Sequence, residues 1–199
     1  MKLLIATHNA HKLQEIRAIL TLPDLEIIGM DSFPEVAEVV EDGETFEANA
    51  IKKATEVANA TGLLTMADDS GLEVDALNGD PGIYSARYAG EPFDDAANNR
   101  KLLAELDGVT NRASRFRCVI AIVEPNGDPQ TVDGRCEGKI GFELEGKNGF
   151  GYDPLFTPDG YDKTFAQLGE SIKNSISHRA VALNAIKKQL IGMVCATSN

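Results

Sequence analysis

Two short apolar runs, each ended at once by a polar cluster, constrain the fold of this chain more than any other feature. Residues 2–6 and residues 63–67 have the length and apolar content of buried strands. The polar clusters that end them cover residues 7–9 and residues 68–71. In open α/β sheets, ligands bind beyond the carboxyl ends of parallel strands. If these two strands run parallel, both polar clusters lie on one edge of a sheet.

Periodicity and capping residues predict the other elements. Thr45 is expected to cap one helix at its N-terminus, and Gly62 to end it. Asn126 and Gly127 give a hairpin signal in the second half. The predicted helices cover residues 11–20, 46–60, 95–106 with Asp94 as the cap, and 179–190. The further predicted strands cover residues 25–30, 72–76, 115–123, 130–133 and 135–140. Alternating strands and helices followed by antiparallel strands predict an α/β fold with a mixed sheet.

The charge balance limits the partners of the chain. Its 199 residues carry a formal net charge of -12. A surface of that sign repels polyanions, and no run of Lys or Arg provides the basic face that polymeric nucleic acid requires. An acidic protein still binds a small polyphosphate if it has a local basic pocket, a divalent cation or both. Basic residues close to the acidic clusters therefore carry the most information.

The sequence also limits location. Its 3 cysteines are odd in number and lack paired close spacing, which argues against a disulfide framework. No stretch approaches the ~20 apolar residues of a membrane span. The apolar run after Lys2 is too short for the core of a signal peptide. We therefore expect a cytoplasmic protein that does not bind a membrane.

The adjacent carboxylates of Asp68 and Asp69 are candidate metal ligands. Two neighbouring aspartates repel each other and lose hydration when they are partly buried, and a divalent cation removes that cost. Mg²⁺ usually takes one or two protein carboxylates and completes its shell with waters and substrate phosphates, so one aspartate can serve as the base for an attacking water. A solvated turn explains the same residues equally well, because Asp, Ser and Gly all favour turns.

Two further segments of the first half have functional and structural interpretations. Residues 7–9 present hydroxyl, amide and backbone donors before a predicted helix with Lys12 in its first turn, which suits phosphate. An ordinary loop capped by Asn9 is the simpler interpretation. Of Lys52 and Lys53, we expect one to point to solvent and one to face the site. An acidic run precedes the predicted helix that carries these two lysines and consists of Glu38, Glu41, Asp42 and Glu44. A solvated loop explains most of these residues, although one of them could reach a metal ion.

Two clusters of the second half are further candidates. Phe150 and Tyr152 flank a glycine, and aromatic faces of this kind stack on bases. A turn that packs in the core is the alternative. A group rich in cationic side chains lies around the start of the last predicted helix and consists of Lys173, Ser177, His178 and Arg179. A helix start that carries surface charge explains the same residues.

Taken in chain order, these motifs resemble the inosine triphosphate pyrophosphatase family. Each motif is weak alone, but the ordered set is specific and spans nearly the whole chain. The matching positions are Thr7, Asn9, Lys12, Glu41, Gly43, Thr45, Phe46, Asn49, Ala50, Lys53 and Ala54, residues 67–72, 81–88 and 149–154, and Lys173, Ile176, Ser177, His178 and Arg179.

The resemblance implies a role for each matching residue. Asp69 is expected to be the general base and a Mg²⁺ ligand, Glu41 the second carboxylate of the metal site, and Asp68 a supporting residue. The residues expected to hold the phosphates are Thr7, His8, Asn9, Ala10, His11, Lys12 and Lys53. The residues expected to hold the base and sugar are Ser70, Phe150, Gly151, Tyr152, Asp153, Lys173, His178 and Arg179.

The resemblance also implies an activity and an assembly. We expect Mg²⁺-dependent hydrolysis of ITP, dITP and XTP to a nucleoside monophosphate and pyrophosphate, which removes damaged purine nucleotides from the precursor pool. The expected fold is an elongated mixed β-sheet flanked by helices, with two lobes and a central substrate cleft, in a single domain over residues 1–199. The expected partners are purine nucleoside triphosphates and a second copy of the chain in a homodimer.

Some alternatives stay open at this stage. Relatives often carry Glu where this chain has Ala48, which leaves Glu44 or Glu47 as an extra acidic contributor. The rival activities are a pyrophosphatase for modified pyrimidine or canonical nucleotides, a non-catalytic nucleotide sensor and a metal-dependent phosphomonoesterase. These rivals differ in substrate preference, in turnover and in whether pyrophosphate or orthophosphate is released.

Overall fold

The computed structural model describes the backbone of residues 1–197 and the side chains of residues 1–192. Among the described residues, the sheet has 6 strands in the order β2-β1-β3-β4-β5-β6. The strands are β1 (Lys2–Ile5), β2 (Glu26–Gly29), β3 (Thr65–Val74), β4 (Ala113–Val123), β5 (Gln130–Ile140) and β6 (Phe156–Pro158). The α-helices are α1 (Ala10–Ile19), α2 (Phe46–Thr61), α3 (Asp95–Glu105), α4 (Phe165–Leu168), α5 (Glu170–Ile176) and α6 (His178–Thr197).

The sheet is mixed, as the sequence predicts. β1 pairs in parallel with β2 and with β3, whereas β5 pairs antiparallel with β6. Helices α1 and α2 follow β1 and precede β3, which is the order of a βαβ region. The predicted α/β class with a mixed sheet flanked by helices is therefore confirmed.

The chain divides into two compact units, and β3, β4 and β5 contribute residues to both. The first unit, called here the N-terminal unit, comprises Met1–Asp69, Cys118–Gly134 and the chain from Arg179 onward. The second unit comprises Ser70–Arg117 and Arg135–His178. The single domain over residues 1–199 stays a prediction.

The N-terminal unit is built on the parallel strands. Leu4 lies opposite Thr65 and Ile5 opposite Met66, so β1 and β3 leave the paired region in the same direction. Asn9 caps α1 by accepting hydrogen bonds from two backbone N–H groups, and Thr45 caps α2 by accepting one from Ala48 N. The buried apolar core consists of Leu3, Ile5, Ile16, Leu20, Met66, Cys118, Ile120, Ile122, Ala182, Leu183, Ile186 and Leu190.

The second unit has a core richer in aromatic side chains. Its rings pack edge to face or stacked, with the Phe116 and Phe156 centroids 4.7 Å apart. The buried Arg112 guanidinium donates to backbone carbonyls that include those of Ile140 and Gly141, and so fixes the end of β5. The core consists of Leu72, Val74, Leu102, Leu106, Phe116, Cys136, Ile140, Tyr152, Leu155, Phe156 and Phe165.

The predicted polar break at residues 68–71 is wrong. β3 runs unbroken as Thr65–Val74, and Asp68 and Asp69 lie inside it at 2% and 5% exposure. Composition alone favours a turn there, but cationic side chains from other elements compensate the carboxylates and allow them to stay in a buried strand. The predicted pair of strands at residues 130–133 and 135–140 is likewise one strand, β5.

Several other boundaries also differ from the predictions. The last helix begins at His178 rather than Arg179 and continues to Thr197. The short elements β6, α4 and α5 have no counterpart among the predicted elements, and they place Lys173 within a helix. Within residues 1–197, no α-helix has both the length and the apolar character that crossing a membrane requires.

Candidate active site

Each unit contains one group of mostly buried, interacting side chains. The first, called here the charged cluster, consists of Lys12, Glu15, Glu41, Asn49, Lys53, Asp68, Asp69 and Arg179. The second, called here the aromatic cluster, consists of Phe116, Phe150, Asp153, Phe165, Lys173 and His178. Each cluster contains residues that the sequence selects as candidates.

Asp68 is the centre of the charged cluster. Its Oδ2 lies 3.1 Å from Lys12 Nζ and 3.0 Å from Arg179 Nη2, and the other side of the Arg179 guanidinium pairs with Glu15. The side chains of Asp68 and Arg179 are each 1% exposed, whereas Lys12 is 16% exposed. The inner pair is therefore closed to solvent, and Lys12 is the cation of this group that a ligand can reach.

Lys53 joins the two acidic segments of the cluster. It stands on the buried face of α2, and its Nζ donates to Glu41 Oε1 at 2.7 Å and to the Asp68 carbonyl at 2.7 Å. Its neighbour Lys52 pairs instead with the exposed Asp42. Lys52 therefore lies on the solvent side of α2 and Lys53 on its buried side, as one part of the prediction requires, whereas a contact of Lys53 with a ligand stays a prediction.

Asn49 orients the candidate base. Its Nδ2 donates to Asp69 Oδ2 at 2.9 Å, and its Oδ1 accepts from Gly43 N at 2.8 Å. A Cβ at Gly43 would lie 2.7 Å from Asn49 Oδ1, so only glycine permits this approach. One amide thus fixes Asp69 relative to the loop that carries Glu41. The sequence signal for Asn49 is a polar residue in line with Lys53 on the apolar face of α2.

Burial and charge act in opposite directions on the two aspartates. Burial raises the pKa of Asp69 above its usual range, although Lys53 and Lys12 oppose that effect and Glu41 adds to it. Burial acts on Asp68 in the same sense, but Lys12, Arg179 and Lys53 outweigh it and hold the pKa of Asp68 well below its usual range. Of the two aspartates, Asp68 therefore favours the ionised form more strongly, whereas Asp69 has the greater affinity for a proton.

The donor set of this cluster suits Mg²⁺. Glu41 and Asp69 offer hard carboxylate oxygens, and the Glu41 side chain is 32% exposed. Among the described residues, no set of three or more His, Cys, Asp or Glu side chains is arranged to hold a metal ion. Mg²⁺ does not need such a set, because it commonly binds through one or two carboxylates together with substrate phosphates. The residues present therefore fit this ion.

The aromatic cluster is organised around Lys173 of α5. Lys173 Nζ lies 2.5 Å from Asp153 Oδ2, 4.4 Å from the centre of the Phe150 ring and 5.8 Å from that of Phe165. His178 stacks on Phe116 with ring centroids 4.8 Å apart. Both cation and imidazole are buried among flat rings, at 5% and 4% exposure, which suits recognition of a planar polar ligand.

A tight turn presents Phe150. The Phe150 N–H donates to Asp153 Oδ2 at 2.9 Å, so the carboxylate that pairs with Lys173 also closes the turn. Gly149 has φ +79°, and a Cβ there would lie 2.1 Å from Asp153 Oδ2, so this position requires glycine. The Tyr152 hydroxyl donates to the Ser85 carbonyl at 2.8 Å and is buried.

The structure distributes the other predicted site residues between the clusters. The segment 7–12 lies next to Asp68 through Lys12, as parallel β1 and β3 predict. The Asn9 side chain is the α1 cap, which is its simpler interpretation. Glu47 accepts from Thr131 Oγ1 at 2.7 Å. Arg179 belongs to the charged cluster, and half-buried Ser70 follows Asp69 in β3. The ligand contacts of all these residues stay predictions.

These features define an α/β protein with a buried carboxylate–lysine cluster. The match to known proteins is more specific. The model of the Ham1 family matches residues 3–189, and the chain belongs to that family. The family resemblance drawn from the ordered motifs is confirmed.

Relatives and solved structures agree over nearly the full length. A dITP/XTP pyrophosphatase of Desulforamulus reducens is 57% identical over 185 residues, which is 92% of each chain. The Ham1 protein of Staphylococcus aureus has a TM-score of 0.88 at 44% identity and covers 97% of this chain and 100% of its own. The HAM1 protein of Coxiella burnetii has a TM-score of 0.89 at 40% identity, with 96% and 99% covered.

Proposed function

We propose that this protein hydrolyses non-canonical purine nucleoside triphosphates, namely ITP, dITP and XTP, to the monophosphate and pyrophosphate in a Mg²⁺-dependent reaction. As a member of the Ham1 family, the chain is a nucleoside-triphosphate pyrophosphatase. Similar proteins are named dITP/XTP pyrophosphatase, which supports the purine class. The role we assign is the removal of damaged purine nucleotides from the precursor pool of the cytoplasm, by a homodimer.

The observation that carries this proposal is the difference in environment between Asp68 and Asp69, which shifts their pKa values in opposite directions. Asp68 is neutralised by Lys12 and Arg179 and cannot readily take a proton. Burial raises the pKa of Asp69, and Asn49 orients its carboxylate, so Asp69 can accept the proton of a water as that water attacks the α-phosphorus. The bond from the α-phosphorus to the bridging oxygen breaks, and pyrophosphate leaves.

Cations near the carboxylates complete the chemistry. When bound at Glu41 and Asp69, Mg²⁺ would neutralise charge on the phosphates. Lys12 and Lys53 supply further positive charge, and Lys53 already lies 2.7 Å from Glu41 Oε1. Phosphoryl transfer depends mainly on such positioning and charge neutralisation. We assign the triphosphate to this cluster.

We assign the base to the aromatic cluster. Phe150 offers a ring for stacking, and Lys173 and His178 are donors that suit the carbonyl at position six of hypoxanthine or xanthine. Adenine presents an amino donor there and would leave those donors unpaired. A site built on such donors rejects the wrong partner by as much as ~10⁴-fold.

The test is a product assay with Mg²⁺ that resolves pyrophosphate from orthophosphate. We expect dITP, ITP and XTP to yield pyrophosphate and one equivalent of monophosphate, with dATP and dTTP turned over far more slowly. Release of orthophosphate would identify a phosphomonoesterase, and binding without turnover would identify a nucleotide sensor. Preference for pyrimidine nucleotides would reject the purine assignment.

A further inference from the structure

Side chains of helix α3 form hydrogen bonds with the backbone of the Phe150–Asp153 turn. Gly151 N donates to Asp95 Oδ2 at 2.7 Å, and Asn99 Nδ2 donates to the Gly151 carbonyl at 2.9 Å. Asp95 and Asn99 are four residues apart on α3 and therefore project from the same side of the helix. Both polar groups of one glycine residue are thus bound by one helix face.

The neighbouring asparagine holds a second segment. Asn98 Nδ2 donates to the Ala86 carbonyl at 3.0 Å, and Asn98 Oδ1 accepts from Ala89 N at 2.7 Å. The Tyr152 hydroxyl donates to the carbonyl of Ser85 in the same segment. Helix α3 thereby supports the turn directly through Gly151 and indirectly through the residues against which Tyr152 rests.

The identity of these residues determines what they can bind. Asn99 is 4% exposed, and its amide donor faces a carbonyl, so an aspartate there would place oxygen against oxygen. Gly151 has φ +59°, and glycine adopts positive and negative φ values about equally, so the residue alone does not fix this conformation. Two hydrogen bonds from a rigid helix hold the residue in that state, between Phe150 and Tyr152.

We propose that Asp95 and Asn99 are positioning residues that set the Phe150 ring for stacking on the purine base. This inference rests on the proposed function, because it concerns the loop that we assign to the base. Neither residue touches the phosphates in this account. Their loss should weaken recognition of the base and leave the binding of a bare polyphosphate unchanged.

Hydrogen exchange of the free protein tests the positioning itself. In Asn99→Asp, we expect amides of residues 149–153 to exchange about tenfold faster, with little change in the strand residues 113–117. In Asp95→Ala we expect the same amides to exchange about fivefold faster, the factor that corresponds to the net free energy of one hydrogen bond. Asp95→Asn is the matched control, since it loses the same charge but keeps an oxygen acceptor, and it should exchange like the parent.

Kinetics test the consequence for the substrate. We expect KM for dITP to rise about tenfold in Asn99→Asp and about fivefold in Asp95→Ala, with kcat within threefold of the parent. The inhibition constant of inorganic tripolyphosphate should not change. Arg100→Ala, on an exposed position of α3, should leave every value unchanged. A merely structural role would instead reduce the active fraction for all ligands.

The outcomes separate the inference from the proposed function. The inference would be overturned if Asn99→Asp and Asp95→Ala both kept the parental exchange rates at residues 149–153 and the parental KM for dITP. Faster exchange throughout residues 70–117 would overturn it as well, because the effect would then be global. If the parent released no pyrophosphate from dITP, the proposed function would fail, and the exchange data would still decide whether Asp95 and Asn99 hold the turn.

Discussion

The two clusters achieve order by different means. In the charged cluster, side chains from β3, α1, α2 and α6 meet in one buried place and compensate one another electrostatically. In the aromatic cluster, one ion pair, Lys173 with Asp153, is enclosed by rings, and a tight turn with glycine at 149 sets the position of Phe150. The first therefore depends on matched charge and the second on shape.

This difference predicts how each cluster fails. Removal of one partner from a buried charge network leaves another charge uncompensated, which is costly for folding or for catalysis. Removal of one ring from an aromatic cluster loses contact area but strands no charge. Substitutions in the charged cluster should therefore have larger effects than substitutions of the rings in the aromatic cluster.

The largest effect is expected from Asp69→Asn. The new amide can still accept from Asn49, so the geometry survives, but it cannot take a proton from water. We expect pyrophosphate release from dITP to fall by roughly 10³-fold or more, a factor within the range of general-base catalysis. Calorimetric titration should show that nucleotide binding persists. Glu56→Gln, an exposed position of α2, is the control, and near-parental turnover by the Asp69 variant would refute the mechanism.

Arg179→Met tests the structural side of the charged cluster. It removes the guanidinium between Asp68 and Glu15 and leaves two carboxylates with less compensation. We expect the free energy of unfolding, measured with urea, to fall by roughly 3 kcal/mol. Arg17→Met on the exposed face of α1 should change it by about 0.5 kcal/mol or less. A stable Arg179 variant would mean that Lys12 and Lys53 suffice for Asp68.

Phe150→Ala tests the aromatic cluster. Loss of one stacking ring should weaken dITP binding by about 1–3 kcal/mol, seen as an increase in KM. The ion pair of Lys173 with Asp153 should persist, so we expect only a small change in unfolding free energy. Phe142→Ala, at an aromatic side chain 79% exposed in the same unit, is the matched control. An unchanged KM would show that the base does not stack on Phe150.

The smallest effect is expected from the exposed ion pairs of the second unit. Arg115 pairs with Asp75 at 2.6 Å and with Glu137 at 3.0 Å, but the carboxylates are 41% and 53% exposed. Solvent screening should limit the loss of unfolding free energy in Arg115→Gln to about 1 kcal/mol or less. Urea denaturation at low and high salt measures it. A loss of unfolding free energy as large as that of Arg179→Met would contradict the expected difference between exposed and buried ion pairs.

Much of the fold follows from local patterns. The caps Asn9, Thr45 and Asp94 and the left-handed Gly62 mark helix ends that the structure reproduces within about two residues. The break at residues 68–71 is the instructive error. Local composition favours a turn, whereas the strand persists because distant cations compensate Asp68.

The candidate site is less predictable than the fold. The helical pattern leaves the choice between Lys52 and Lys53 open, and the ordered motifs select Lys53 together with most of the other residues. The roles of Asn49, Asp95 and Asn99 emerge only from tertiary contacts, since an amide within a helix has many possible partners. Arg179 shows the same limit: its sequence neighbours suggest the base, but its guanidinium pairs with Asp68.

The central claim is that water attacks the α-phosphorus in the charged cluster. Hydrolysis of dITP in ¹⁸O-labelled water with Mg²⁺, followed by mass spectrometry of both products, tests it most directly. We expect one labelled oxygen in the monophosphate and none in pyrophosphate, and loss of this reaction in Asp69→Asn. Label in pyrophosphate, or any labelled orthophosphate as the primary product, would contradict it.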